Sequence, residues 1–174
     1  MKDKADTTKA DKNTEEWYTP PKYADMVRRV FGGEIHFDPA SCDKANEYVK
    51  ACQYCTKEEN GLLQHWVQGN TFLNPPYKVM MPWAEKLWDF NRWITEPVIL
   101  LANSCTDTDW FHLLLGQNPQ VCFVKQRIRF LDQDGQEQAT GKKPNVFMFF
   151  SAKNNAQKGL FIDEFSQIGR VVGF

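Results

Sequence analysis

The sequence predicts an open α/β sheet with an antiparallel edge, and three observations carry that reading. Short strand-like apolar runs alternate with amphipathic helical stripes in the early part of the chain. The last strands can pair back on one another through a loop carrying Asp134-Gly135. The 174 residues are 42% hydrophobic and 14% aromatic, enough to bury a real core on both faces of a sheet.

Residues 1–15 carry lysines, aspartates and threonines with no large apolar residue beyond Met1, so they read as a solvated tail before one domain over 16–174. Tyr23, Met26, Val27, Val30 and Phe31 follow the offsets of a helical stripe. Thr19 is the expected N-cap with Pro20 just inside, and Gly32-Gly33 supplies the stop. Strands are expected at Glu34–Phe37, around Tyr48–Cys55, and at Thr71–Leu73, Val98–Ala102, Val121–Val124, Arg127–Leu131 and Val146–Phe150. Helices are expected at Pro82–Ile94 and Asp107–Leu115.

Other features bound the function. No run approaches about 18 consecutive apolar residues, so no membrane span is expected. The start lacks the apolar segment of a secretory signal. Five scattered cysteines suit a reducing interior, which places the protein in the cytoplasm. A net charge of -1 excludes a protein basic all over, though not one with a local basic face.

In an open α/β sheet, ligands sit at the carboxyl ends of the strands. Two ends stand out: Asp38-Pro39-Ala40-Ser41 after the first strand and Asn74-Pro75-Pro76-Tyr77 after Thr71–Leu73. The second is the sharper signal. Consecutive prolines lock the backbone and offer no N–H. The Asn74 amide oxygen and the Pro75 carbonyl can both accept from one NH2 group. An aromatic exocyclic amine is a poor nucleophile because its lone pair is delocalised. Two acceptors on its hydrogens favour the pyramidal form and stabilise the charge that develops as it attacks a methyl donor. Tyr77 adds an aromatic face on which a planar base can stack.

Asn74-Pro75-Pro76-Tyr77 resembles the catalytic motif of S-adenosylmethionine-dependent amino-methyltransferases. Trp17-Tyr18-Thr19-Pro20, Phe37-Asp38-Pro39-Ala40-Ser41, Asn60-Gly61-Leu62 with Trp66, and Thr106-Asp107-Thr108-Asp109-Trp110-Phe111 extend the likeness. Together they resemble the phage Dam-like family of DNA N6-adenine methyltransferases, from about residue 16 onward. The resemblance implies a Rossmann-like fold, S-adenosylmethionine as cofactor, DNA as partner and a bacterial host cell as setting. It implies that Asp38, Pro39, Ala40 and Ser41 form the cofactor loop. Tyr18, Thr19 and Pro20 would lie near the methionine end, and Asn60, Gly61 and Leu62 near the cofactor adenine. The glycine-rich turn of the wider methyltransferase pattern is missing from Ser41–Asn46. The acid for the ribose hydroxyls is open among Asp43, Glu58 and Glu59. The rival readings are cytosine-N4 methylation, protein glutamine methylation, and a silent DNA-binding or antirestriction module.

Cys42, Cys52, Cys55 and His65 include a Cys-x-x-Cys pair. Cysteines three apart in a strand face opposite sides, so they read as thiols and no metal is expected. For DNA, Lys125, Arg127 and Arg129 would share one face of a strand, with Lys142-Lys143 returning beside it. An ordinary solvated strand face is the competing reading. Phe130 or Trp110 is the candidate second stacking face for a base flipped out of the duplex.

Overall fold

Pro20 and Pro21 set the first helix, because fixed φ and a missing N–H suit the first turn. In the computed structural model, which describes residues 17–66, 69–93, 96–138, 143–151 and 155–173, helix α1 spans Pro21–Val30 with Pro20 as its N-cap residue. The Pro20 carbonyl accepts from Tyr23 and Ala24. Thr19 therefore does not cap the helix as expected, and its hydroxyl is used elsewhere. At the other end Gly32 and Gly33 take positive φ, and the Gly33 N–H returns to the Arg28 carbonyl at 2.7 Å.

The chain then runs through β1 (Ile35–Asp38), α2 (Asp43–Val49), β2 (Ala51–Tyr54), β3 (Thr71–Leu73), a 3-10 turn at Tyr77–Val79, α3 (Met80–Trp93) and β4 (Val98–Asn103). It continues with α4 (Asp109–Leu115), β5 (Gln120–Val124), β6 (Asn145–Phe150), α5 (Asn155–Phe165) and β7 (Gly169–Gly173). The strands form one sheet in the order β2-β1-β3-β4-β6-β5-β7. The first four are mutually parallel, while β6 runs antiparallel to both β4 and β5, and β7 antiparallel to β5. The mixed α/β sheet, parallel over its first four strands, is the expected Rossmann-like class.

Three local expectations need correction. The stretch around Tyr48–Cys55 is not all strand: α2 runs to Val49, Lys50 turns in the left-handed region at φ 55, and β2 follows. The Asn46 side chain fixes that turn, accepting from the Ala51 N–H at 2.8 Å and donating to its carbonyl at 3.2 Å. Arg127–Leu131 is not a strand either; only Leu131 makes isolated bridges, to Tyr18 and Glu137. The antiparallel pairing through the loop carrying Asp134-Gly135 is present between β5 and β6, but it lies one strand in from the edge. Strand β6 is inserted inside the sheet, and β7 forms the edge.

Both faces of the sheet are covered. Along β4, Val98, Leu100 and Ala102 join Trp83, Leu87 and Phe111 of α3 and α4, whereas Ile99 and Leu101 face Val27 of α1 and Phe161 and Phe165 of α5. Asp38, Leu73, Asn103 and Val124 close their strands on one common edge, as the registers require. At that edge β6 begins, with Asn145 opposite Asn103. Among the described residues no helix is long and apolar enough to cross a membrane.

Candidate active site

Asn74 follows the three buried residues of β3, so a fully paired strand delivers it to the carboxyl edge. Its amide is held at both ends. Nδ2 donates to Thr19 Oγ1 at 3.1 Å, and Oδ1 accepts from the Tyr77 hydroxyl at 2.9 Å. Pro75 is buried and Pro76 exposed. Tyr77 opens the 3-10 turn, closed by the Val79 N–H on the Pro76 carbonyl. The Tyr77 ring is half-buried with its hydroxyl inward, and burial pushes that hydroxyl far above the ordinary tyrosine range, with the Asn145 amide pulling weakly the other way. Phe130 stands edge-on to it, ring centroids 6.2 Å apart and planes at 75°.

The first strand delivers Asp38 to the same edge. It is 2% exposed, with Oδ1 accepting from the Ala40 N–H at 3.1 Å. Burial drives this carboxyl up from 3.8 to about 7, opposed by the Ala40 N–H and the Ser41 hydroxyl, which favour the charged form. The loop around it is built by contact with the 60s. A Cβ on Gly61 would lie 1.9 Å from the Pro39 carbonyl oxygen, so only glycine permits that approach. The Gly61 carbonyl accepts from the buried Trp66 indole at 2.8 Å, and Asn60, at φ 52, turns the chain with its side chain on the Leu62 N–H. The segments 38–41 and 60–62, which the resemblance grouped by function, are thus in direct contact.

Tyr18, Thr19 and Pro20 are all buried. Tyr18 exchanges two backbone hydrogen bonds of 2.9 Å with Leu131. The segment after β5 therefore does not lie apart from the site. It leaves the carboxyl edge at Val124, packs Ile128 and Phe130 into the core on the α1 side, and turns at Gly135 against the Tyr48 ring of α2. Arg127 and Arg129 alternate outward from Ile128 and Phe130, and Lys125 and Lys143 are exposed. The outward alternation expected of a strand is present without a strand, because the inner residues pack on the core with no neighbouring ladder. Lys142 lies outside the described residues. Trp110 is buried against Phe111 in the α3–α4 core; of the two stacking candidates, Phe130 is the one beside Tyr77.

Two residues at the site had no sequence signal. Asn103 and Asn145 are both buried, and Asn145 Nδ2 donates to the Asn103 Oδ1 at 3.2 Å and to the Ala102 carbonyl at 3.4 Å. Each sits at the end of an apolar strand run, where a polar residue reads as an ordinary boundary. Of the cysteines, Cys52 is exposed with its thiol on Glu34, and Cys55 is buried.

An amide oxygen has two lone pairs, and Tyr77 occupies one of those on Asn74. The other, with the Pro75 carbonyl, suits the two hydrogens of an exocyclic amine. The chain matches the family DNA N-6-adenine-methyltransferase (Dam) over residues 4–167. It is also 26% identical over 155 residues to a DNA N-6-adenine-methyltransferase of Haemophilus phage HP1 (strain HP1c1), a match that covers 88% of this chain and 87% of that relative. With the family match running along nearly the whole chain, this protein belongs to the Dam family of DNA N6-adenine methyltransferases.

Proposed function

We propose that S-adenosylmethionine supplies the methyl group and that Asn74, Pro75 and Tyr77 hold the adenine amine while Asp38, Pro39, Ala40 and Ser41, with Asn60, Gly61 and Leu62, hold the cofactor. The observation that carries this reading is the Asn74 amide, clamped at the strand edge that also carries Asp38. The residues suit the cofactor in kind. A buried carboxylate with lone pairs to spare is a partner for an ammonium group. When bound, the cofactor's sulfonium presents an electrophilic methyl group.

The protein's own part in transfer is electrostatic. Asn74 Oδ1 and the Pro75 carbonyl accept from the amine as it becomes positive, which lowers the barrier without a tuned general base. The half-buried Tyr77 ring, fixed by Phe130, gives the base a flat surface. A paired adenine is unreachable, so the base leaves the stack or comes from a single strand. Lys125, Arg127, Arg129 and Lys143 flank this edge and supply the phosphate contacts that an overall charge of -1 does not. DNA and the cofactor meet in the cytoplasm of the host cell.

The test is incubation with isotopically labelled S-adenosylmethionine and plasmid DNA, then nucleoside mass spectrometry. Labelled N6-methyladenine is expected. Asn74→Ala is expected to slow turnover by about two to three orders of magnitude with the cofactor dissociation constant nearly unchanged. Collapse of cofactor binding in that variant would remove Asn74 from the transfer step.

A further inference from the structure

A side-chain amide serves the transfer step in only one of its two orientations. With its oxygen toward the target amine it accepts a hydrogen; turned by 180° it presents a second NH2 group and repels the developing cation. Two neighbours hold the Asn74 amide in place. The Tyr77 hydroxyl donates to its oxygen and the Thr19 hydroxyl accepts from its NH2 group, and since a hydroxyl can donate or accept, it is the pair together that restrains the amide's position and plane. Thr19 Oγ1 lies 3.1 Å from Nδ2. Thr19 is 2% exposed, its helix-capping position is taken over by Pro20, and its hydroxyl is turned to Asn74 across 55 residues of sequence. Tyr18, next to it, is tied on both backbone groups to Leu131, and Pro20 fixes the other side, so the hydroxyl is presented from a rigid backbone.

We propose that Thr19 is a positioning residue for methyl transfer: its hydroxyl accepts from Asn74 Nδ2 and, opposite Tyr77, anchors the amide at the strand edge where it meets the amine. This rests on the assignment of Asn74 to the transfer step, and it gives Thr19 a task other than cofactor contact. Misplacement of a reacting group by about an ångström costs on the order of 10²-fold in rate, which sets the scale of the effect.

The experiment compares Thr19→Val, close in volume but without the hydroxyl, with Thr19→Ser, which keeps it. Single-turnover rates are measured at saturating cofactor and DNA, cofactor affinity by calorimetry, and the Asn74 side-chain amide by ¹⁵N NMR. Thr19→Val is expected to slow the single turnover by about 10- to 100-fold with cofactor affinity within about threefold. Thr19→Ser is expected to recover the rate to within about threefold. The Asn74 NH2 resonances should shift, and their solvent exchange should quicken, in Thr19→Val only.

A loss confined to cofactor affinity would overturn the proposal and make Thr19 a cofactor contact. So would Thr19→Ser as slow as Thr19→Val, or Asn74 amide resonances unchanged in Thr19→Val. The amide signals are read without turnover, so they decide even where a variant is too slow to assay. Asn74→Ala, measured alongside, separates the two levels. If its turnover is normal, the site assignment fails, whatever Thr19 does.

Discussion

Leu131 and Tyr18 are bonded to each other through both their backbone groups, N–H to carbonyl in each direction at 2.9 Å. The contact joins the segment that carries Arg127 and Arg129 to the residue before Thr19. The arginines proposed to contact DNA are therefore one short step from the residue proposed to position Asn74.

Replacing Arg127 and Arg129 together by Gln is expected to weaken DNA binding and to flatten its salt dependence by about one to two units of slope. Cofactor affinity should be retained, since both side chains point outward while Ile128 and Phe130 keep the packing. A double variant with the wild-type salt slope, measured by anisotropy over a salt series, would show that the phosphate contacts lie elsewhere.

Asp38 predicts a pH dependence with a definite sign. Its carboxyl titrates near 3.8 when free and at about 7 in the folded protein, because burial penalises the charge. The folded state thus holds a proton that the unfolded chain has released. The resulting stability is complete below about pH 4 and is lost as pH rises through 7. Asp38→Asn removes that loss, so its melting temperature should exceed the wild type's at pH 8, with the gap closing toward pH 4. In the wild type, cofactor affinity should weaken as pH falls through 7, approaching about tenfold per unit if only the carboxylate binds. A pH-independent dissociation constant between 5.5 and 8, on the order of the window set by that titration, would deny Asp38 the cofactor's ammonium group.

Gly61→Ala should distort the 38–41 loop by direct contact with Pro39. The new methyl would meet the Pro39 carbonyl oxygen at 1.9 Å, backbone against side chain, so one of the two loops must move. Overpacking of this kind costs about 1–3 kcal/mol. Denaturant unfolding should record that loss, and calorimetry a weaker affinity for the cofactor. Unchanged values in both would show that the loops adjust freely.

Asn145→Val keeps a strand-forming residue of similar size but deletes the donor to Asn103 Oδ1 beneath Tyr77. A buried acceptor left without its partner costs about 1–3 kcal/mol. Denaturant unfolding should show that loss, and turnover should slow because Tyr77 loses its buried neighbour. Wild-type stability would mean that Asn103 finds another donor.

The sequence revealed elements where burial follows a single period. Strands β3, β4 and β6 are buried throughout and apolar but for one polar end residue each, and α1 buries Tyr23, Met26, Val27 and Val30 on one stripe. Helix α5 was not legible because Leu160 and Ile162 are exposed on either side of the buried Phe161, which blurs any stripe. Strand β7 is short and bounded by glycines, one of which is needed where a Cβ would strike the Phe123 carbonyl oxygen at 2.2 Å. In α2 only Val49 is buried, so the helix left no apolar pattern. The site divides the same way. Asn74–Tyr77 and Asp38 were visible because prolines and polar residues at strand ends break the apolar pattern. Asn103 and Asn145 were not, since their meaning comes only from lying opposite each other across β4 and β6.

The placement of β6 between β4 and β5 has a consequence for how the two proposed tasks are laid out along the chain. The chain departs from the carboxyl edge at Val124 and re-enters the sheet from that same edge at Asn145. The intervening excursion is rooted at both ends in the middle of the sheet, and it carries the arginines outward and Phe130 inward. The exposed side chains of Arg127 and Arg129 lie outside every strand pairing, whereas Phe130 and Leu131 are tied to Tyr77 and Tyr18. The outward arginines proposed to contact DNA and the Asn74–Tyr77 loop proposed for methyl transfer thus lie on separate stretches of one short chain.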